Sequence, residues 1–221
     1  MPLRRDPDFA GQRQGMVERQ LRRRGIHDER VLRAMAEVPR EAFVPEAERR
    51  RAYADSALPI GEGQTISQPW IVAAICQSMA LRGEERVLEV GTGSGYSAAV
   101  LARLAAEVIS IERQPDLARM ATDRLAELGF GNVEVIVGDG TRGCPERAPF
   151  DAIAVHATAP APPETLLSEL GTGGRLVAPI SADRADLLTV FMREETGFRA
   201  AVIGPARFVP LIGDEGYEES S

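Results

Sequence analysis

The chain has 221 residues, 44% of them hydrophobic, and a formal net charge of -7, enough to bury one substantial core. No apolar run approaches the roughly 18 residues of a membrane span, and the start MPLRRDPDFAGQRQG lacks the apolar centre of a signal peptide, so a cytoplasmic protein with no membrane partner is expected. The acidic balance argues against nucleic acid as the first partner to consider.

Taken in chain order, MVERQLRRRG (16–25) predicts a short helix, with Val17 and Leu21 one turn apart and Gly25 placed to end it. Asp28 is the expected N-cap of a second helix whose Val31, Leu32, Met35 and Val38 form an apolar stripe before Pro39. Residues 39–59 read as a connector, and 1–59 as a helical lid region that is not an independent domain, leaving 60–221 as the core. Half of the 26 basic residues, all of them arginine, fall in the first 51. A basic arm for RNA is one reading, but interleaved acids favour a solvated helical face.

The polar stretch 60-IGEGQTISQPW-70 reads as a loop, unusually dense in short hydroxyl and amide side chains. After it the periodicity alternates. Helices are expected over 69–81, 94–105, 114–129 and 162–170, and strands over 86–90, 107–112, 133–139, 150–157 and 173–180. Two further strand-like segments, 186–194 and 199–211, could pair antiparallel. This order predicts an α/β, Rossmann-like fold: a mainly parallel sheet with helices on both faces. Cys76 is expected on a buried helix face and Cys144 in a loop. Neither a disulfide nor a metal site is expected.

Strand 86–90 runs directly into GTGSGY, placing Gly91, Gly93 and Gly95 at the carboxyl end of the first parallel strand, where open α/β sheets bind ligands. The dinucleotide pattern G-x-G-x-x-G would put its third glycine at Tyr96. The spacing here, with Glu89 ahead of it, resembles that of S-adenosylmethionine-dependent methyltransferases. Glu112, ending the second strand, can accept hydrogen bonds from two ribose hydroxyls. Asp139 could accept from the adenine amino group, with Gly140 leaving room for the base. The end of the fourth strand, VHATAPAPP, lacks the acid or amide and the aromatic that flank two prolines in amino-methylating DNA and RNA enzymes. His156 is either a general base or a histidine satisfied by a local hydrogen bond.

More specifically, GEGQTISQP, VLEVGTGSGYSAAVLA, VISIER, NVEVIVGDG, APFDAIAV, LGTGGRLVAPI and RFVPL, preceded by MVERQLRRRGIHDERVLRAMAEVPREAFVP, resemble the protein-L-isoaspartate O-methyltransferase family across residues 16–212. TISQP is the most diagnostic piece. The resemblance implies S-adenosylmethionine as methyl donor, no metal, and isoaspartyl peptides or damaged proteins as substrate. It implies Ser67 as the active-site serine, and Thr65, Ile66 and Phe208, Val209, Pro210 and Leu211 as substrate contacts. It also implies cofactor contacts from Gln64, Thr65, Ser67, Glu89, Gly91, Thr92, Gly93, Ser94, Gly95, Glu112, Arg113, Asp139 and Gly140. A monomer is expected. The competing readings are a carboxylate methyltransferase that tailors a ribosomally made peptide, an RNA methyltransferase using the arginine-rich start, and a non-catalytic binding module.

Overall fold

A computed structural model describes residues 8–219; residues 1–7 of the N-terminal region, and Ser220 and Ser221, lie outside the described residues. The first helix starts earlier than its apolar spacing predicts, because Asp8 accepts from the Gly11 N–H at 2.9 Å and caps α1 (Phe9–Met16). It continues through a π-turn, Val17–Leu21, and a 3-10 turn, Arg22–Arg24, and stops at Gly25 with φ of 91°. Asp28 caps α2 (Glu29–Glu37), accepting from the N–H groups of Arg30 and Val31, and the expected stripe is buried throughout. The arginine runs are largely neutralised locally: Arg22 pairs with Glu29, Arg24 with Asp55, Arg49 with Glu46 and Arg51 with Glu48. That weakens the RNA reading.

Two 3-10 segments, Arg40–Phe43 and Glu46–Arg51, lead into a hairpin, β1 (Leu58–Gly61) and β2 (Gln64–Ile66), where the sequence predicts an open loop. Strands of four and three residues are too short to show alternation, so their pairing is invisible to periodicity. There follow α3 (Pro69–Met79), β3 (Arg86–Val90), α4 (Tyr96–Ala102), β4 (Glu107–Glu112), α5 (Pro115–Glu127), β5 (Val133–Val137) and β6 (Phe150–Val155). The chain ends with α6 (Glu164–Ser168), β7 (Leu170–Ile180), β8 (Asp186–Arg193) and β9 (Phe198–Ala206).

The seven-stranded sheet has the order β5-β4-β3-β6-β7-β8-β9. Its first five strands are parallel, β8 runs antiparallel to β7 and β9 antiparallel to β8, which is the mainly parallel Rossmann-like arrangement expected. Alternate residues of each strand feed opposite faces. Val87, Val108 and Ala152 join the larger apolar cluster, which also holds Met16, Met35 and Ile75; Leu88, Ile109 and Ile153 join the other, with Leu166 and Phe191. Residues of 16–53 therefore share one core with α3 and α4.

One expectation is corrected: 199–211 is not a single strand. β9 stops at Ala206, and RFVPL leaves the sheet to run beside the segment after β6. There Thr158 N–H donates to the Val209 carbonyl and Leu211 N–H to the Thr158 carbonyl, both at 2.8 Å, while Pro210 between them has no N–H to place.

Candidate active site

β3 lies between β4 and β6, so the chain moves outward in opposite directions from it and leaves a crevice at its carboxyl end. That crevice holds a cavity of about 100 Å³, partly open to solvent. Its walls include Gln64 to Ser67 from β2 and its exit, Gly91 to Ser94 after β3, Glu112 and Arg113 after β4, Gly140, and Val209 to Ile212.

All three loop glycines hold positive φ, 94° at Gly91, 53° at Gly93 and 86° at Gly95. At Gly93 the conformation is also a close approach, since a Cβ there would lie 3.3 Å from Ile60 of the hairpin. The hairpin therefore rests directly on the glycine loop. Gly95 faces away from the cavity: it starts α4, and a Cβ would press on Ala121 of α5 at 3.3 Å. Glu89 is likewise not in the wall. As the penultimate residue of β3 its side chain points into the sheet face, fully buried, where its Oε2 accepts from Ser110 Oγ at 2.5 Å. Ser110 in turn lies 2.5 Å from Thr92 Oγ1. Glu89 thus braces the glycine loop from below.

Glu112 lies in the cavity wall. It is the last residue of β4, 5% exposed, and its carboxylate accepts from Gly93 N–H at 2.8 Å and Gln114 N–H at 3.0 Å. One backbone donor on each oxygen fixes its orientation and leaves a lone pair on each for a pair of vicinal hydroxyls. Gly140 is held free of a side chain by Val90, into which a Cβ would collide.

Asp139 departs from expectation. It lies two residues beyond the end of β5, outside the cavity wall, and its carboxylate is occupied. It accepts from Thr141 N–H (2.9 Å), Thr141 Oγ1 (2.7 Å) and Asp214 N–H (2.8 Å). The C-terminal segment docks here, held also by Arg142 to Asp214, Thr165 Oγ1 to Glu215 (2.6 Å) and Arg113 to Glu219 (2.7 Å), and its Ile212 lines the cavity. Burial opposes the Asp139 charge, but the donors from Asp214 and Thr141 and the Arg142 cation outweigh it and hold this carboxyl below its ordinary 3.8. A depressed folded-state pKa contributes stability above the ordinary value and loses it as pH falls through the depressed one. The Asp214 amide NMR shift is therefore expected to follow this carboxyl with a midpoint below 3.8. A midpoint above 3.8 would contradict the docking geometry.

A second, outer cleft is lined by Arg24, Trp70, Arg207 and Phe208 among others. Trp70 is fixed by its indole N–H to the Arg24 carbonyl at 3.1 Å and by the Arg24 guanidinium 5.0 Å from the ring centre. Thr65, Ser67, His156 and Val209 line both spaces, and so stand where the two adjoin. Gln68 anchors the exit of the hairpin, donating to Asp55 Oδ1 at 2.7 Å, whereas the Ser67 hydroxyl makes no hydrogen bond among the described residues. Of the expected residues, then, Glu89, Gly95 and Asp139 stand behind the walls, Phe208 lines the outer cleft, and the others line the inner cavity. Sequence reasoning missed Val72, Val90, Tyr96, Ser97, Ile111, Ala157 and Ile212. Tyr96 and Ile212 each directly follow an expected residue or motif, which was the available signal. Among the described residues no group of three or more His, Cys, Asp or Glu could hold a metal ion. Cys76 and Cys144 are both buried and unpaired.

Residues 12–216 match the family model described as protein-L-isoaspartate(D-aspartate) O-methyltransferase. The chain belongs to that family. It is 52% identical over 207 residues to the protein-L-isoaspartate O-methyltransferase of Methanoculleus marisnigri, covering 94% of each chain. It is 54% identical over 211 residues to protein-L-isoaspartate O-methyltransferase 1 of Rhodopseudomonas palustris, covering 95% of this chain and 86% of the relative. A solved protein-L-isoaspartate O-methyltransferase superposes with a TM-score of 0.82 at 30% identity, over 92% of this chain and 67% of its own. A Plasmodium falciparum structure described as the same enzyme, in complex with S-adenosyl-L-homocysteine, does so at 0.78 and 27%, over 90% and 98%. The chain is an S-adenosylmethionine-dependent protein-L-isoaspartate O-methyltransferase, and both cavities of this family member lie within the matched span.

Proposed function

We propose that S-adenosylmethionine occupies the inner cavity, that an isoaspartyl peptide or damaged protein enters by the outer cleft, and that the two meet at a passage lined by Thr65, Ser67, His156 and Val209. The observation that carries this reading is their shared border: Thr65, Ser67 and His156 each line both a glycine-walled cavity and a second, wider cleft. When bound, the cofactor supplies an electrophilic methyl group on a sulfonium sulfur. Gly91 to Ser94 and Gly140 admit it closely, and Glu112 takes its ribose hydroxyls.

The chain's own task is positioning. The accepting carboxylate has a reference pKa of about 4 and is ionised at neutral pH, so no general base is needed. Its oxygen bonds to the methyl carbon as the carbon–sulfur bond breaks, and the products are a methyl ester and a neutral thioether. Ser67, with its hydroxyl uncommitted, orients that carboxylate, while the hairpin excludes water from it. Phe208 and Val209, which line the outer cleft, lie along the peptide, while Pro210 and Leu211 border the inner cavity. The ester then cyclises, by the family's repair chemistry, to a succinimide whose hydrolysis returns some normal aspartate. The protein reads as a cytoplasmic monomer; among the described residues no helix is long and apolar enough to cross a membrane.

The test is transfer of labelled methyl to matched peptides differing only in an isoaspartyl or a normal aspartyl residue. Label in the isoaspartyl peptide alone is expected. Equal labelling of both, or of neither, overturns the assignment.

A further inference from the structure

His156 follows β6, and its main-chain N–H donates to the Val90 carbonyl at 2.8 Å, holding it beside Gly91 at the point where the strand order reverses. Its ring is nearly enclosed, with the side chain 7% exposed, yet it borders both the inner cavity and the outer cleft. Nε2 lies 2.8 Å from Ser97 Oγ and 3.3 Å from Glu89 Oε1. Glu89 is fully buried, and Oε1 has no aligned hydrogen-bond donor. A bare nitrogen lone pair facing that carboxylate would be repelled, so the hydrogen belongs on Nε2, pointing at Ser97 and Glu89. With Nε2 committed inward, Nδ1 is the ring's remaining polar atom, and it makes no hydrogen bond among the described residues.

Resting on the reaction and passage proposed above, we infer that His156 Nδ1 accepts a hydrogen bond from the isoaspartyl residue's own peptide N–H, so that His156 and Ser67 hold that residue from two sides of the passage. The two contacts divide the work by chemistry. A hydroxyl can donate to the carboxylate; a neutral imidazole nitrogen cannot, and it suits the N–H borne by the same carbon. Fixing both substituents of that carbon fixes the direction in which the carboxylate oxygen points, which an in-line transfer requires. His156 is thereby a substrate-positioning residue and not a proton acceptor in the transfer.

The experiment compares two peptides, one with the isoaspartyl residue and one in which its N–H is replaced by an ester oxygen, with wild type and His156→Gln. The glutamine amide can keep a donor toward Ser97 and Glu89 while removing the acceptor at the Nδ1 position, and thermal melting of the variant checks that the fold persists. In wild type the ester analogue is expected to lose about tenfold in kcat/KM, the size of one hydrogen bond. His156→Gln is expected to lose about tenfold on the normal peptide and little more on the analogue, with cofactor KM within about twofold of wild type. Equal losses on the analogue in wild type and variant overturn the inference, as does a defect confined to cofactor KM. Failure of wild type to methylate the normal isoaspartyl peptide would instead strike at the reaction itself.

Discussion

Glu112→Ala is expected to weaken S-adenosylmethionine binding about 100-fold while leaving kcat at saturating cofactor within a few-fold of wild type. The wild-type carboxylate is 5% exposed and already oriented by Gly93 and Gln114 N–H groups. Hydrogen bonds to a charged acceptor contribute roughly 1.5–3 kcal/mol each, so two at the lower end come to about 3 kcal/mol, on the order of 100-fold in Kd. Alanine removes both ribose contacts and also leaves the Gly93 N–H without its acceptor. Glu112→Gln separates these effects, because the amide keeps one carbonyl acceptor without the charge; a loss near tenfold is expected. Calorimetric titration with the cofactor provides the measurement. If alanine changed Kd by less than threefold, the ribose would have to lie elsewhere in the cavity, and the reading of the crevice would be wrong at its best-defined point.

Glu89, Glu112 and Asp139 show how far such a site can be read before any coordinates exist. All three are acids at or near the ends of parallel strands, and pattern alone treats them alike. Their level along the sheet separates them. The pleat puts Glu89 and Glu112 on one face, since Glu89 pairs with Ser110, two residues before Glu112; Glu112, past the last paired residue of β3, reaches the crevice, whereas Glu89 stays buried beneath the glycine loop. Asp139 lies beyond β5, where a segment 75 residues later in the chain claims its carboxylate. No local signal marks that long-range docking. The strands themselves were legible because buried parallel strands are short apolar runs between turn residues; β3 and β4 fall on the expected residues, 86–90 and 107–112. The hairpin was not legible, because GEGQTI carries turn chemistry and only three or four residues per strand. Ser97 escaped notice for a different reason: it looks like an ordinary small helical residue until β6 brings His156 within 2.8 Å of it.

Ser67→Ala is expected to lower kcat on an isoaspartyl peptide about 100-fold, with Kd for S-adenosylmethionine changed by less than about threefold. Ser67, like Thr65, is uncommitted, whereas the two glutamines of this loop are not. Gln64 donates to the Glu62 carbonyl and Gln68 to Asp55, while the Ser67 hydroxyl lines both cavities with no hydrogen bond among the described residues. A side chain that supports nothing in the fold can be removed without disturbing the hairpin, so stability should move by less than about 0.5 kcal/mol. Removing one preorganised donor from a reacting oxygen elsewhere costs about 10²–10³ in rate, and a role confined to orientation puts this one at the lower end. Ser67→Thr keeps the hydroxyl but adds a methyl group in the passage, and partial activity, within about tenfold of wild type, is expected. Ser67→Cys offers only a weak donor and should behave more like alanine. The pattern across the three variants carries the argument: activity should follow the donor and not the size of the side chain. If alanine retained full turnover, the carboxylate would have to be held by the hairpin's backbone or by the RFVPL segment alone. The hairpin would then serve to cover the passage without touching the chemistry.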